Sequence, residues 1–303
     1  MSQRNLVTGA VYDLDRYEKD TGRSMHAKDY FQRIGQIASE FFPLRSQIPL
    51  TSAHHNVITT VNGEIAGDMQ EYARDEFRFL DVGGSSGRRL LDIEDRLRRL
   101  KGIGLEKHIV DIDRRSVEEA RANGIDARQL DLTQERFPFV DETIDSVFSG
   151  WTFEIIPPHN HKHVAGEIHR VLKPGGRFYF QDDKYGEGEK NTKHYKEALK
   201  PRGYMPGTFF YGVFEVPQDF VPQKTDSIHP TSDQNPNSKL IGEPMYGKGF
   251  SLDEIKELAD GHFGIEKAIL INNRSGEIMG SGEESFRRLA DDWAVFLAVL
   301  RKK

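Results

Sequence analysis

The residues best placed to do chemistry gather at a glycine-rich turn. Asp81-Val82-Gly83-Gly84-Ser85-Ser86-Gly87 follows a β-rich run and opens a segment with helical spacing. Glycines at such a turn let backbone N–H groups approach a ligand with no Cβ in the way, and a helix N-terminus favours electronegative groups. The dinucleotide fingerprint G-x-G-x-x-G is not met, because Ser85 holds its second glycine position and Arg88 its third. A phosphate loop is excluded as well, since no lysine and hydroxyl pair follows the turn to reach phosphate and Mg²⁺. Taken alone, the turn reads equally as a tight turn without a ligand.

Further acidic residues decide between those readings. Val110-Asp111-Ile112-Asp113 ends the next β-rich run, where a carboxylate can accept hydrogen bonds from both hydroxyls of a ribose at the switch point of a parallel sheet. Asp113 suits the cap of the helix that follows, which leaves Asp111 for the ribose. A third run ends at Asp131-Leu132. There a carboxylate can accept an adenine amino proton while the Leu132 N–H donates to the ring, although Asp131 reads equally as a loop cap.

These residues need a scaffold that brings strand ends together, and from Phe77 to Asp183 the sequence supplies one. Strands are expected over Phe77 to Val82, His108 to Ile112, Ala127 to Asp131, Ile144 to Ser149 and Arg177 to Gln181. Between them lie helical stripes over Arg88 to Leu100, Arg114 to Asn123 and Val164 to Leu172, the last broken by Lys173-Pro174-Gly175-Gly176. Ser251 with Glu254 three residues on signals a capping box before Ile255, Leu258 and Ala259. Ile265 to Ile271 and Trp293 to Leu300 read as two more strands, an antiparallel pair at the sheet's edge. The alternation predicts a doubly wound α/β fold with a mostly parallel sheet of seven strands.

Two regions fall outside this pattern. In residues 1–76, Tyr30, Phe31, Ile34, Ile37, Ala38 and Phe41 form an amphipathic helix that Pro43 is expected to end. Residues 184–249 hold seven of the thirteen prolines together with Tyr204, Phe209, Phe210, Tyr211, Phe214 and Phe220. Aromatics need burial, so this reads as an ordered insertion after the fifth strand. It acts either as a lid over an apolar pocket or as a small core of its own. The expected organisation is an N-terminal helical extension over 1–76, a core over 77–183 and 250–303, and the insertion between.

Composition narrows the function. A net charge of −6 gives no general attraction to nucleic acid or anionic lipid. The basic run Arg96 to Lys101 alternates with Leu97 and Leu100, as the solvated face of a helix does. With no cysteine, disulfides, thiolate metal sites and a cysteine nucleophile are all excluded. Neither a secretory signal nor a run of about 18 apolar residues is present, so a cytoplasmic location is the default expectation.

At this point the ordered set resembles the class I S-adenosylmethionine-dependent methyltransferases, in particular the small-molecule branch that includes quinone-biosynthesis enzymes. The resemblance is carried by Phe79-Leu80-Asp81-Val82-Gly83 with Gly87, Val110-Asp111-Ile112, Asp131 with Phe137-Pro138-Phe139, Ile144-Asp145 and Val171-Leu172-Lys173-Pro174-Gly175-Gly176. Phe250-Ser251-Leu252-Asp253-Glu254-Ile255 before Phe263-Gly264-Ile265, and the final strand, look like that family's closing helix and strand pair. The resemblance implies a Rossmann-like sheet with an antiparallel last strand. It implies S-adenosylmethionine as cofactor and S-adenosylhomocysteine as product. Asp81 and the turn Gly83, Gly84, Ser85 and Gly87 would hold the cofactor's amino-acid part, Asp111 with Ile112 its ribose, and Asp131 with Leu132 its adenine. Ser149-Gly150-Trp151 would border the methyl group. Two departures stand out: Ser85 replaces the turn's usual middle glycine, and Ile155 stands where many relatives have histidine after Glu154.

Methyl transfer from a sulfonium is an in-line displacement with an activated leaving group, so alignment and exclusion of water supply much of the acceleration. Where the acceptor must lose a proton, Glu154, His159 and His161 are the candidate bases. No metal is expected. His159, His161 and His163 are spaced too poorly to converge, and Asp182-Asp183 lacks a partner carboxylate at Ser149-Gly150-Trp151, so capping is the reading for that pair. The function expected is methylation of a small molecule. The alternatives are a protein or RNA methyltransferase and a cofactor-binding protein without catalysis.

Overall fold

Short apolar runs alternating with helical stripes bury themselves here as strands sandwiched between helices. The computed structural model describes residues 6–11, 14–45, 48, 50–186, 188–216, 239–289 and 294–303. The chain opens with β1 (Leu6–Ala10), α1 (Leu14–Thr21), α2 (Ala27–Arg45) and α3 (Ser52–Met69). The alternating part follows as β2 (Phe77–Val82), α4 (Arg88–Lys101), β3 (Leu105–Asp111), α5 (Arg114–Ala122), β4 (Asp126–Gln129), β5 (Ile144–Gly150), α6 (His161–Val171) and β6 (Leu172–Lys184). After it come α7 (Glu189–His194), β7 (Thr208–Glu215), β8 (Lys239–Lys248), α8 (Leu252–Ala259), β9 (Phe263–Ile271), β10 (Ile278–Ser281), α9 (Gly282–Arg288) and β11 (Ala294–Lys302).

The main sheet has the order β10-β9-β11-β6-β5-β2-β3-β4. Strands β2 to β6 pair in parallel, and β11 runs antiparallel between β6 and β9. Succession runs outward from β2 through β3 to β4 on one side and from β5 to β6 on the other. The order therefore reverses between β2 and β5, and the loops leaving those strands part there to form a crevice. Caps set the helix starts as the sequence indicates. Asp113 accepts from the Ser116 N–H at 2.9 Å, and Ser251 with Glu254 forms a full capping box.

Three features differ from the sequence reading. The sheet has eight strands, not seven, because a turn at Asn272 and Gly276 (φ +74°) sends the chain back so that β10 pairs with the outer edge of β9. Pro43 does not end its helix: α2 continues to Arg45, and Phe42 and Leu44 on either side of the proline pack against the core beneath. Residues 1–76 do not act as one extension. Val57, Val61, Ile65 and Met69 of α3 recur every four residues and pack with Leu90, Ile93 and Leu97 of α4 on one face of the main sheet.

The remaining N-terminal elements join the insertion. Strand β1 pairs antiparallel with β7, and β7 with β8, giving a second sheet built from both regions. Helix α2 lies across it, with Tyr30, Ile37 and Phe41 packed among Tyr204, Phe210, Tyr211 and Tyr246. The Tyr30 hydroxyl donates to the Pro244 carbonyl at 2.9 Å and accepts from the Tyr246 N–H at 2.8 Å. The insertion's aromatics thus form a core shared with α2. Of the residues singled out in the sequence, Phe220 and Trp293 lie outside the described residues.

Candidate cofactor and acceptor site

The glycine-rich turn leaves β2 through three left-handed positions: Gly83 (φ +72°), Ser85 (φ +49°) and Gly87 (φ +80°). A Cβ on Gly83 would overlap the Thr152 side chain, and one on Gly84 would meet the Asp81 carboxylate at 2.7 Å. Ser85 holds a conformation that costs a side chain free energy, and two contacts secure it. Its N–H donates to Asp111 Oδ2 at 2.8 Å, and its hydroxyl lies 3.3 Å from that of Ser116. Asp111 Oδ1 accepts from the Asp113 N–H at 2.8 Å, so this carboxylate ties the turn to the end of β3. Burial pushes the Asp111 carboxyl above its ordinary value, against the N–H groups of Asp113, Ser85 and Ile112 that favour its charge.

Two cavities meet at this turn, sharing Gly83, Ser85 and Trp151. The first, ≈ 620 Å³, is lined by Asp81, Gly84, Arg89, Gly150 and Glu154, with walls from Phe42, Pro43, His54, Ile58 and Tyr211. The second, ≈ 710 Å³, is lined by Asp111, Ile112, Asp131, Leu132, Ile155 and His159, with α2 residues from Phe31 to Phe42 and Met245 opposite. Every cofactor residue expected from the sequence lines one cavity or both, except two. Gly87 lies against Ile125 at the start of α4, and Ser149 is buried within β5. Asp131 has both roles open to it in the sequence: it lines the second cavity while its carboxylate accepts from the Thr133 N–H and hydroxyl and from Gln134 Nε2.

Asp81 is buried, and burial raises its carboxyl to about 7, with Arg89 lowering it and Asp111 raising it further. Arg89, in the first turn of α4, escapes sequence reading because neighbouring arginines on a helix look alike. Arg88 points to solvent and pairs with Glu119. Arg89 turns inward, where Nη1 donates to Gln181 Oε1 at 2.6 Å and Nη2 to Asn62 Oδ1 at 3.2 Å. Its guanidinium lies 4.5 Å from the Phe148 ring centroid and 5.4 Å from that of Trp151. Burial pulls its pKa down to about 10, which leaves it charged at neutral pH. Its place two residues after Gly87, the turn's last glycine, is the signal the sequence offers.

Behind Trp151 (φ +55°) sits a group of buried carboxylates. The indole Nε1 donates to Asp183 Oδ1 at 2.9 Å, and the Glu154 N–H donates to Asp182 Oδ2 at 3.0 Å. Burial first, then Asp182 and Asp183, push the Glu154 carboxyl well above the usual carboxylate range. Its Oε2 has no hydrogen-bond partner among the described residues, although Glu154 is buried and lines the first cavity. His159 lines the second cavity with its ring against Phe31. His161 lines neither: its Nε2–H faces the carbonyls of Phe153 at 3.0 Å and Ile156 at 2.9 Å, and burial lowers its pKa to about 4. It is a neutral brace for the turn that carries Glu154. Among the described residues no three His, Asp or Glu side chains are grouped to hold a metal.

A family model described as a methyltransferase domain matches residues 80–180. Over 132 residues, 42% of this chain, the sequence is 34% identical to the sterol 4-C-methyltransferase strm-1 of Caenorhabditis elegans. The match spans 38% of that relative's length. Among solved structures, a SAM-dependent methyltransferase from Methanosarcina mazei aligns with a TM-score of 0.50, covering 78% of this chain and 96% of that one at 16% identity. That likeness establishes the fold, and the family match covers β2 through most of β6, the strands that carry the turn, Asp111 and Glu154. Residues 80–180 therefore match a methyltransferase domain, set on the fold of that structure.

Proposed function

We propose that this chain transfers a methyl group from S-adenosylmethionine to a small, largely apolar acceptor. The observation that carries the reading is the pair of cavities joined at Gly83, Ser85 and Trp151, each lined by acidic strand ends on one side and apolar side chains on the other. The residues fit the cofactor: the turn leaves no room for a Cβ at Gly83 or Gly84, and the Asp81 carboxylate faces the cavity beside them. Asp81 would hold the ammonium, Asp111 the ribose hydroxyls, and Asp131 with Leu132 the adenine. When bound, S-adenosylmethionine supplies a methyl group on a sulfonium, already activated for displacement.

The chain's own residues then orient the acceptor and exclude water. Phe42, Pro43, Ile58 and Tyr211 give the first cavity apolar walls, which suit an acceptor with an apolar body. Glu154 is the polar group we assign to the acceptor, because it shares that cavity with Asp81 and Gly84 whereas His159 lines the other. Burial and the neighbouring carboxylates raise its pKa, so the group can donate a hydrogen bond while protonated and take the acceptor's proton once ionised. The relative named for a sterol acceptor supports an apolar small molecule, and the wall made by α2 and Tyr211 supports an enclosed site with the insertion as its lid.

Calorimetric titration with S-adenosylmethionine and S-adenosylhomocysteine, with NAD as control, tests the reading. Both sulfur compounds bind, NAD does not, and Asp111→Ala weakens binding at least roughly tenfold, the scale of one charge-assisted hydrogen bond. Folded protein that binds neither sulfur compound sinks the proposal. Labelled methyl offered with a panel of sterols and phenols then identifies the acceptor class.

A further inference from the structure

Phe42, Leu50, Ile58 and Tyr211 contribute to the apolar wall of the first cavity, and His54 sets an imidazole into that wall. Its position is fixed locally. Thr51 caps α3, its hydroxyl oxygen accepting from the His54 backbone N–H at 3.3 Å and lying 2.7 Å from the ring's Nδ1. Ile58, one turn further along α3, lines the same cavity, so this face of the helix belongs to the site. Helix α3 lies outside the stretch that the methyltransferase domain matches, so this wall is supplied by the N-terminal region.

The His54 ring meets Trp151 edge-on, with centroids 6.0 Å apart, and Glu154 lines the same cavity. Both polar side chains are more than nine-tenths buried, His54 being 8% exposed and Glu154 6%. Burying a polar group costs free energy unless it is hydrogen-bonded, and Glu154 Oε2 has no partner among the described residues. An acceptor group that bonds there recovers that cost. A hydroxyl carries one donor and two lone pairs, so it can pair with an imidazole and a carboxyl whichever of them donates. An ammonium only donates and a carboxylate only accepts.

We propose that His54, together with Glu154, hydrogen-bonds the acceptor's polar group, and that this group is a hydroxyl on an apolar body. The inference rests on the function proposed above. Its test uses protein saturated with S-adenosylhomocysteine and compares naphthol with naphthalene, and decalol with decalin, by equilibrium dialysis. Within each pair the members differ only in the hydroxyl, on an aromatic or a saturated ring. Wild type is expected to prefer the hydroxylated member of at least one pair by roughly tenfold, the size of one hydrogen bond in a buried site. His54→Phe keeps a ring beside Trp151 without its polar atoms. It is expected to lose most of that preference while its affinity for the hydrocarbon stays within about twofold, and His54→Gln to restore part of it. Wild type with no preference in either pair, or H54F weakening both members alike, overturns the inference. Where H54F fails to fold, H54A carries the same comparison. S-adenosylhomocysteine bound without any preference for the hydroxyl is a failure of this inference alone. Its failure to bind wild type overturns the cofactor reading and the inference with it.

Discussion

At Asp81, which the proposed function assigns to the cofactor's ammonium, burial works against the charge that binding would use. Burial raises its carboxyl from 3.8 to about 7 in the folded chain. A carboxyl whose folded pKa exceeds its unfolded one binds more protons when folded. Its contribution to stability is therefore fully present below pH 3.8, declines as pH rises, and is lost by about pH 7. Asp81→Asn removes that dependence. Without ligand, the variant is expected to melt above wild type near pH 8, with the advantage shrinking toward pH 4, as a series of melting curves across that range would record. Its affinity for S-adenosylhomocysteine falls at least roughly tenfold, because the ammonium loses an ionised partner. In wild type the same affinity weakens as pH drops through about 7. A melting difference independent of pH would show that Asp81 titrates normally.

At the scale of elements, the turn between β2 and α4 depends on packing as much as on ligand contact. Gly83 combines φ +72° with a neighbour, Thr152, whose hydroxyl donates to the Val82 carbonyl at 3.0 Å. Gly83→Ala strains the backbone and displaces that side chain, which predicts a loss of roughly 1–3 kcal/mol in denaturant unfolding and a collapse of cofactor affinity. An unchanged unfolding midpoint would mean that the turn relaxes freely. This turn was legible because its constraints are local: glycines, a preceding strand and a following helix adjoin in sequence. The Asp113 cap and the Ser251–Glu254 box were legible for the same reason. Helix α3 was not, since its threonines and two glycines favour helix weakly and only packing on α4 makes its apolar stripe decisive. Arg89 stayed hidden because its meaning comes from Asn62 and Gln181, which the fold brings to it from other elements. The short strand β10, with a glycine among four residues, carries no alternation to read.

Across the whole molecule, the second cavity lies between two cores: Asp111, Asp131 and Leu132 belong to the main sheet, and the α2 residues facing them to the smaller one. Helix α2 is held to the insertion by Tyr30 and by Arg33, which pairs with Glu243, and β1 is held by its ladder with β7. A ligand filling that cavity touches both bodies, so its binding energy favours the closed arrangement over any local opening that separates them. Hydrogen exchange with and without saturating S-adenosylhomocysteine measures this directly. At a ligand concentration about a hundred times Kd, linkage stabilises the bound state by about 2.7 kcal/mol, which slows exchange through such openings by roughly a hundredfold. The amides of Ala27–Arg45 and of β7 are expected to slow together with those of the glycine-rich turn. Protection confined to the turn would show that the cofactor is held by the main sheet alone, and that the shared aromatic core serves the acceptor or the fold instead.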